Sequence, residues 1–167
     1  YEGQIRQLVS FVGTVNGLVD RAVGSERWKV TATTKGGHSF GNFGNPNAIS
    51  ALAGVICCLY GQPVPKKEGT KTTYNVGTIS GGTSVNTIAQ NAEMLYEFRS
   101  DNREDLAEME AHFKAAVAFY QTKGIAITVT QVGDRPCMGD VDAAREQALM
   151  DRGARAIKNN YGYDVTY

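Results

Sequence analysis

With 167 residues, the chain is the size of one domain, or of one domain with a piece of another, and an apolar fraction of 42% supplies a real core. Seventeen Lys and Arg against seventeen Asp and Glu leave no net charge and no basic run, which argues against a nucleic-acid footprint or an anionic membrane partner. Three cysteines, Cys57, Cys58 and Cys137, match neither a disulfide framework nor a zinc knuckle; with no signal peptide, no apolar run of spanning length and no Asn-x-Ser/Thr acceptor, the expected compartment is the reducing cytoplasm.

Residues 1–20 mix Ile5, Leu8, Val9, Phe11 and Val12 with Gly13 and Gly17, so helix and strand compete, and the stretch reads as an entry segment. From Ser25 onward, Trp28, Val30 and Ala32 alternate with Lys29, Thr31 and Thr33, the pattern of a half-buried strand. That strand runs into Gly36-Gly37-His38-Ser39-Phe40, where paired glycines permit a tight corner that presents the histidine. The competing reading, that His38 merely hydrogen-bonds its own loop, stands beside it. Asn45-Pro46 reads as a helix start, and Ile49, Leu52, Ala53, Ile56, Leu59 and Tyr60 share one helical face before Gly61 ends it. Cys57 and Cys58 on this helix read as small core residues.

A polar link over Lys66 to Gly69 leads to a strand at Thr72–Ile79, rich in β-branched residues. The connection Ser80-Gly81-Gly82-Thr83-Ser84-Val85-Asn86-Thr87 is longer and more polar than a tight turn needs, as loops that carry function tend to be. A third strand, Glu93–Arg99, sets Met94, Tyr96 and Phe98 against Glu93, Leu95, Glu97 and Arg99. Ser100-Asp101 then caps a helix whose apolar face is Leu106, Met109, Phe113, Ala116, Val117 and Tyr120, with Gly124 as its stop and His112 as a solvated neighbour of that face. Ile125–Val132 form a fourth strand, and a last amphipathic helix runs from about Val141 to Asn160, closed by Gly162.

The order strand, helix, strand, strand, helix, strand specifies an α+β fold: a ferredoxin-like split βαβ sandwich with a four-stranded antiparallel sheet, two helices on one face, and an extra C-terminal helix. Right-handed crossovers put the first and third strands in the centre and the second and fourth at the edges. The expected division is an entry segment over residues 1–22, the sandwich over 23–136, and a return segment over 137–167.

Few residues offer chemistry. With His38 and His112 as the only imidazoles and no paired spacing, no complete metal site is expected. Gly-x-Ser-x-Gly is absent, Ser39 lies too close to His38 to imply a triad, and Gly81-Gly82-Thr83-Ser84 lacks the following helix and lysine of a phosphate-binding loop. A set of anion-handling groups remains: His38, the amides of Gly81, Gly82 and Thr83, Asn86 and Arg99. Arg99 beside Asp101 also reads as an ordinary surface ion pair.

These motifs resemble a known family. Gly-Gly-His-Ser-Phe followed by Asn-Pro-Asn-Ala-Ile, Gly-Gly-Thr-Ser-Val-Asn, and Glu-Phe-Arg-Ser, in register from Val23 to Val132, resemble the lid or dimerisation domain of the zinc aminoacylase, carboxypeptidase and dipeptidase superfamily of metallopeptidases, which includes peptidase T-like and acetylornithine deacetylase-like enzymes. The resemblance implies a dimerisation and substrate-closing domain of a cytoplasmic zinc exopeptidase or amidohydrolase that cleaves peptide or acyl-amino-acid amide bonds. It implies no cofactor here, two zinc ions in a catalytic domain outside this chain, and a chain inactive by itself as an excised piece of a longer protein, in keeping with a start that is not Met. It assigns His38 to polarising the scissile carbonyl from a neighbouring subunit, and Asn86 and Arg99 to binding substrate. Two-fold pairing of edge strand 72–79, flanked by helices 47–60, is the expected homodimer contact.

The same topology also serves binding modules for RNA or small ligands, with Tyr96 and Phe98 placed like stacking aromatics, although the neutral charge disfavours it. Antiparallel pairing of the first and third strands predicts that His38 and the Gly81–Asn86 loop share one end of the sheet and Arg99 the other.

Overall fold

A computed structural model of the protein describes residues 8–10, 17–138 and 141–165; the readings made for Ile5, Phe11, Val12 and Gly13 lie outside the described residues. The chain divides into two compact units, one over residues 22–139 and one formed by residues 1–21 with 140–167.

The larger unit carries the sheet. Its long strands are β1 (Gly24–Thr33), β3 (Thr72–Gly81), β5 (Asn91–Ser100) and β6 (Ala126–Arg135), in the order β3-β5-β1-β6 and antiparallel throughout. Two helices, α1 (Ala48–Gly61) and α2 (Arg103–Gln121), pack on one face. The central and edge positions are those the crossover rule requires. A two-residue ladder not legible in the sequence joins β2 (Gly37–His38) to β4 (Thr87–Ile88).

Period-two alternation decides which side of the sheet becomes core. On β5 the side chains of Ala92, Met94, Tyr96, Phe98 and Ser100 are buried, while Glu93 and Leu95 are exposed and Glu97 and Arg99 half-buried. Val30 and Ala32 of β1 join them, and Trp28 lies 5.3 Å from Phe113 of α2 between ring centroids. Tyr96, Phe98, Phe113, Leu52 and Met94 are the largest fully buried side chains, each stabilising the fold by about 1.5–3 kcal/mol if treated as an ordinary buried apolar group. Tyr96 and Phe98 therefore cannot stack on RNA bases.

The helix starts differ from those the sequence indicated. Asn47, not Asn45, caps α1, its side chain accepting from the amides of Ile49 and Ser50, and Asn45 instead donates to the Gly36 carbonyl at 2.7 Å. The inward face of α1 is consequently Ala48, Ala51, Leu52, Val55 and Leu59; Ala53 and Cys57 are exposed, and Ile49 and Tyr60 are largely so. Asn102, rather than Ser100 or Asp101, caps α2 by accepting from the amides of Glu104 and Asp105. At the α1–α2 crossing, Gly54 leaves room for Tyr120, with which a Cβ would collide.

Asp105 is the buried charge of the unit, with no exposed side-chain surface. Its Oδ2 accepts from the hydroxyls of Thr70 at 3.3 Å and Thr72 at 3.2 Å, and the Lys67 ammonium lies 3.0 Å from Oδ1. One carboxylate thus ties the link before β3 to the first turn of α2, a residue that helical periodicity alone marks only as an acidic first-turn position.

The second unit contains α3 (Ala143–Tyr161), the extra C-terminal helix. Asp142 caps its start and Gly162, at φ 76°, closes its end. Among the described residues no helix is long and apolar enough to cross a membrane.

Candidate functional site

The Gly36-Gly37 pair is required by local geometry. Both residues have positive φ, 64° and 133°, and a Cβ on Gly36 would collide with Gln90 while one on Gly37 would meet Asn42 at 2.7 Å. The turn that follows is closed by Asn42 through both its side chain and its backbone. Asn42 Oδ1 accepts the His38 amide at 2.9 Å, the Asn42 amide donates to the His38 carbonyl at 2.8 Å, and bonds from Thr34 to Ala89 and Gln90 and from Gln90 to Lys35 fasten the preceding segment to the residues just before β5.

This turn holds the His38 ring as well as its backbone. The amides of Phe40 and Gly41 donate to Nδ1 at 3.3 and 3.5 Å. An Nδ1 that accepts leaves the proton of the neutral ring on Nε2, so the exposed His38 presents an N–H donor outward. Both readings of the histidine are therefore satisfied at once, since it bonds its own loop through one nitrogen and is presented through the other.

His38 and Asn86 are brought together. His38 pairs with Thr87 in the short ladder, and the Ser39 amide donates to the Asn86 carbonyl at 2.9 Å. Asn86 Oδ1 accepts from Ser84 at 2.8 Å, which leaves the amide nitrogen of Asn86 as its outward donor. Gly81 closes the long β3–β5 pairing opposite Ala92, where a Cβ would meet Ala92 Cβ at 2.7 Å. The Gly82 amide donates to the Asn91 carbonyl at 3.1 Å, so it is committed to the fold; Gly82 and Thr83, with Thr87, Gln90 and Asn91, line a small pocket.

Arg99 lies elsewhere. On β5 it pairs with Ser25 at the start of β1, whereas the end of β1, Thr33, pairs with Asn91 and leads to the His38 turn. Eight residues of strand separate the two ends, on the order of 25 Å. The partner of Arg99 is also not Asp101, whose carboxylate accepts the Lys71 amide, but Glu97. Arg99 Nε and Nη2 reach Glu97 Oε1 and Oε2 at 3.1 and 2.9 Å, and Arg27 Nε reaches Oε2 at 3.2 Å. The Arg99 hydrogen bonds, with the single bond from Arg27, outweigh the opposing effect of burial and hold the Glu97 carboxyl below its ordinary value. All three project from the helix-free face of the sheet, where Arg27, Asn75, Gly77, Thr78, Leu95 and Val132 line a shallow cavity beside Glu97.

His112 differs from its expected solvated state: its side chain is 25% exposed, with Nε2 4.0 Å from Glu108. The cysteines are free, and Cys58 and Cys137 are partly buried against the core. Among the described residues no three His, Cys, Asp or Glu side chains converge in a way that could hold a metal ion.

Comparison with known proteins places the chain in a family. No curated protein matches the chain by sequence. Among solved structures, it is similar to the aminobenzoyl-glutamate utilization protein of Klebsiella pneumoniae, with a TM-score of 0.74 and 18% identity over 93% of this chain and 40% of that one. It is similar to aminopeptidase PepT of Bacillus cereus, with a TM-score of 0.69 and 23% identity over 92% and 40%, and to a hydantoinase/carbamoylase-family amidase of Burkholderia multivorans, with 0.62 and 20% over 87% and 34%. The chain therefore spans two fifths or less of the length of these proteins. These likenesses establish the fold, and the model of the peptidase dimerisation domain matches residues 22–124, more than half of the chain. By that match the chain belongs to the peptidase dimerisation domain family.

Proposed function

We propose that this chain is the dimerisation and substrate-closing lid of a metal-dependent exopeptidase or amidohydrolase acting on peptide or acyl-amino-acid amide bonds. The described residues offer no site that fits a metal, and in this reading the zinc ions implied by the resemblance belong to the catalytic domain that the lid closes over. An aminopeptidase and a hydantoinase/carbamoylase-family amidase among the similar structures are in keeping with amide hydrolysis. A cytoplasmic location belongs to the same reading.

The observation that carries the mechanism is the separation of His38 and Asn86 from Arg99 along β1 and β5. A single copy cannot bring all three to one small substrate. In a two-fold dimer joined along β3, each site takes Arg99 from its own chain and His38 with Asn86 from the partner copy. Arg99 supplies a planar fork for a substrate carboxylate. The outward Nε2–H of His38 and the Asn86 amide donate to the oxygen on which negative charge develops as the amide carbonyl is attacked. The Gly82–Thr83 pocket contributes shape beside Asn86.

Mixing subunits of the full-length protein tests this reading. His38→Ala and Arg99→Ala dimers are each expected to be inactive. After subunit exchange, about a quarter of wild-type activity should return, because half the dimers are mixed and each of those has one intact site. No recovery despite demonstrated exchange would refute the shared site.

A further inference from the structure

The contact between Arg99 and Glu97 has the form of a ligand complex. Two parallel bonds, 3.1 Å to Oε1 and 2.9 Å to Oε2, occupy the fork of the guanidinium with both oxygens of a planar carboxylate. Glu97 and Arg99 stand two residues apart on the same face of β5, with side chains 30% and 38% exposed, so the pair is accessible from the helix-free side. A second guanidinium, Arg27, sits opposite Glu97 across the β1–β5 ladder and holds the same carboxylate at 3.2 Å. The group therefore contains two cations and one anion and is one negative charge short of balance.

From this arrangement, and resting on the assignment of Arg99 to a substrate carboxylate, we propose that Glu97 is an internal stand-in for that carboxylate. In the empty domain Glu97 keeps the Arg99 fork extended and oriented. When a substrate carboxylate arrives, Arg99 exchanges Glu97 for it, and Glu97 falls back on Arg27, giving two guanidiniums and two carboxylates. The exchange selects planar monoanions that accept two parallel bonds. It also sets affinity low enough for release, since every ligand must displace a tethered competitor. Glu97 is then a positioning and specificity residue, with Arg27 as its second resting place.

The test uses the 167-residue chain and N-acetylglycine as the carboxylate probe, titrated by the shifts of the arginine Nε–H resonances. Glu97→Ala and Glu97→Gln are expected to bind the probe about fivefold more tightly than the wild type, the scale of one partly exposed ion pair. Arg27→Ala should bind it more weakly, because Glu97 then has only Arg99 to return to. A merely structural role for Glu97 would move affinity the other way, as the fork lost its support. Unchanged or weakened binding in both Glu97 variants, or no binding by any form, overturns the proposal. If Arg99→Ala binds as well as the wild type, the assignment of Arg99 to a substrate carboxylate fails as a separate matter.

Discussion

The Nδ1 atom of His38 accepts the backbone amide of Phe40 at 3.3 Å, so the turn that positions this side chain also fixes which of its nitrogens carries the proton. The Gly41 amide approaches the same atom at 3.5 Å. A donor at Nε2 suits a group that stabilises developing negative charge, whereas a base would need that nitrogen free to accept.

The first prediction is that the neutral His38 ring is the Nε2–H tautomer in the wild-type chain, read from long-range ¹⁵N–¹H correlations above the titration range of histidine. Phe40→Pro removes the closer amide and should produce a mixture of tautomers. A predominant Nδ1–H form in the wild type would contradict the geometry.

The second prediction concerns the edge of the sheet. Strand β3 is less open than its sequence indicated: it carries a bulge between Val76 and Thr78, and the Val76 amide donates to the Tyr60 hydroxyl at 3.2 Å. Tyr60 in turn packs edge-on against Tyr74, with centroids 4.9 Å apart. If copies associate along β3, Val76→Pro should shift the chain toward monomer in sedimentation velocity by distorting the edge. Tyr60→Phe, which loses only the hydroxyl, should associate as the wild type does. Equal association of Val76→Pro and wild type would exclude this edge as the dimer contact.

A third expectation follows from the burial of Asp105. Truncation to Ala leaves the hydroxyls of Thr70 and Thr72 and the link before β3 without their shared acceptor. Asp105→Ala should lower unfolding free energy by about 3–4 kcal/mol, read from urea denaturation. Asn102→Ala, which removes only the α2 cap, should cost about 1 kcal/mol. A smaller loss for Asp105→Ala than for Asn102→Ala would show that the buried carboxylate is not the stronger tie.

The fourth prediction is a dependence of stability on pH. Burial first, then repulsion from Glu110 of α2 and Asp134 of β6, raises the Glu26 carboxyl above its ordinary 4.5, while the Trp28 indole N–H and Lys114 oppose that shift. The folded state thus binds this proton more tightly than the unfolded chain. Its destabilising effect is absent below the unfolded value, grows as pH rises through the window between the two values, and is constant above the folded one. Glu26→Gln keeps an acceptor for Trp28 and removes the charge. It should raise the melting temperature at pH 7 by a few degrees at most, with the gain disappearing below about pH 4. A gain that persists unchanged into acid would point to packing instead.

The sequence by itself determined the fold class and the placement of its main features. Alternation of Met94, Tyr96 and Phe98 against Leu95, Glu97 and Arg99 has a period of two, and Leu106, Met109, Phe113 and Val117 follow a helical one, so each element declares its buried side locally. Element order and the handedness of crossovers then leave one sheet order, which sends His38 and Arg99 to opposite ends. The tertiary structure alone decided which polar groups meet. Asn47 and Asn102 could be told from neighbouring cap formers only once the entering chain had a direction. Asp105 became a buried anchor because the link before β3 folds over it, and the pair that Glu97 makes with Arg99, two residues along the same face of β5, gained Arg27 because cross-strand register sets that side chain opposite Glu97. Such contacts depend on distances between segments far apart in sequence, and residue type and spacing along one segment carry no record of them.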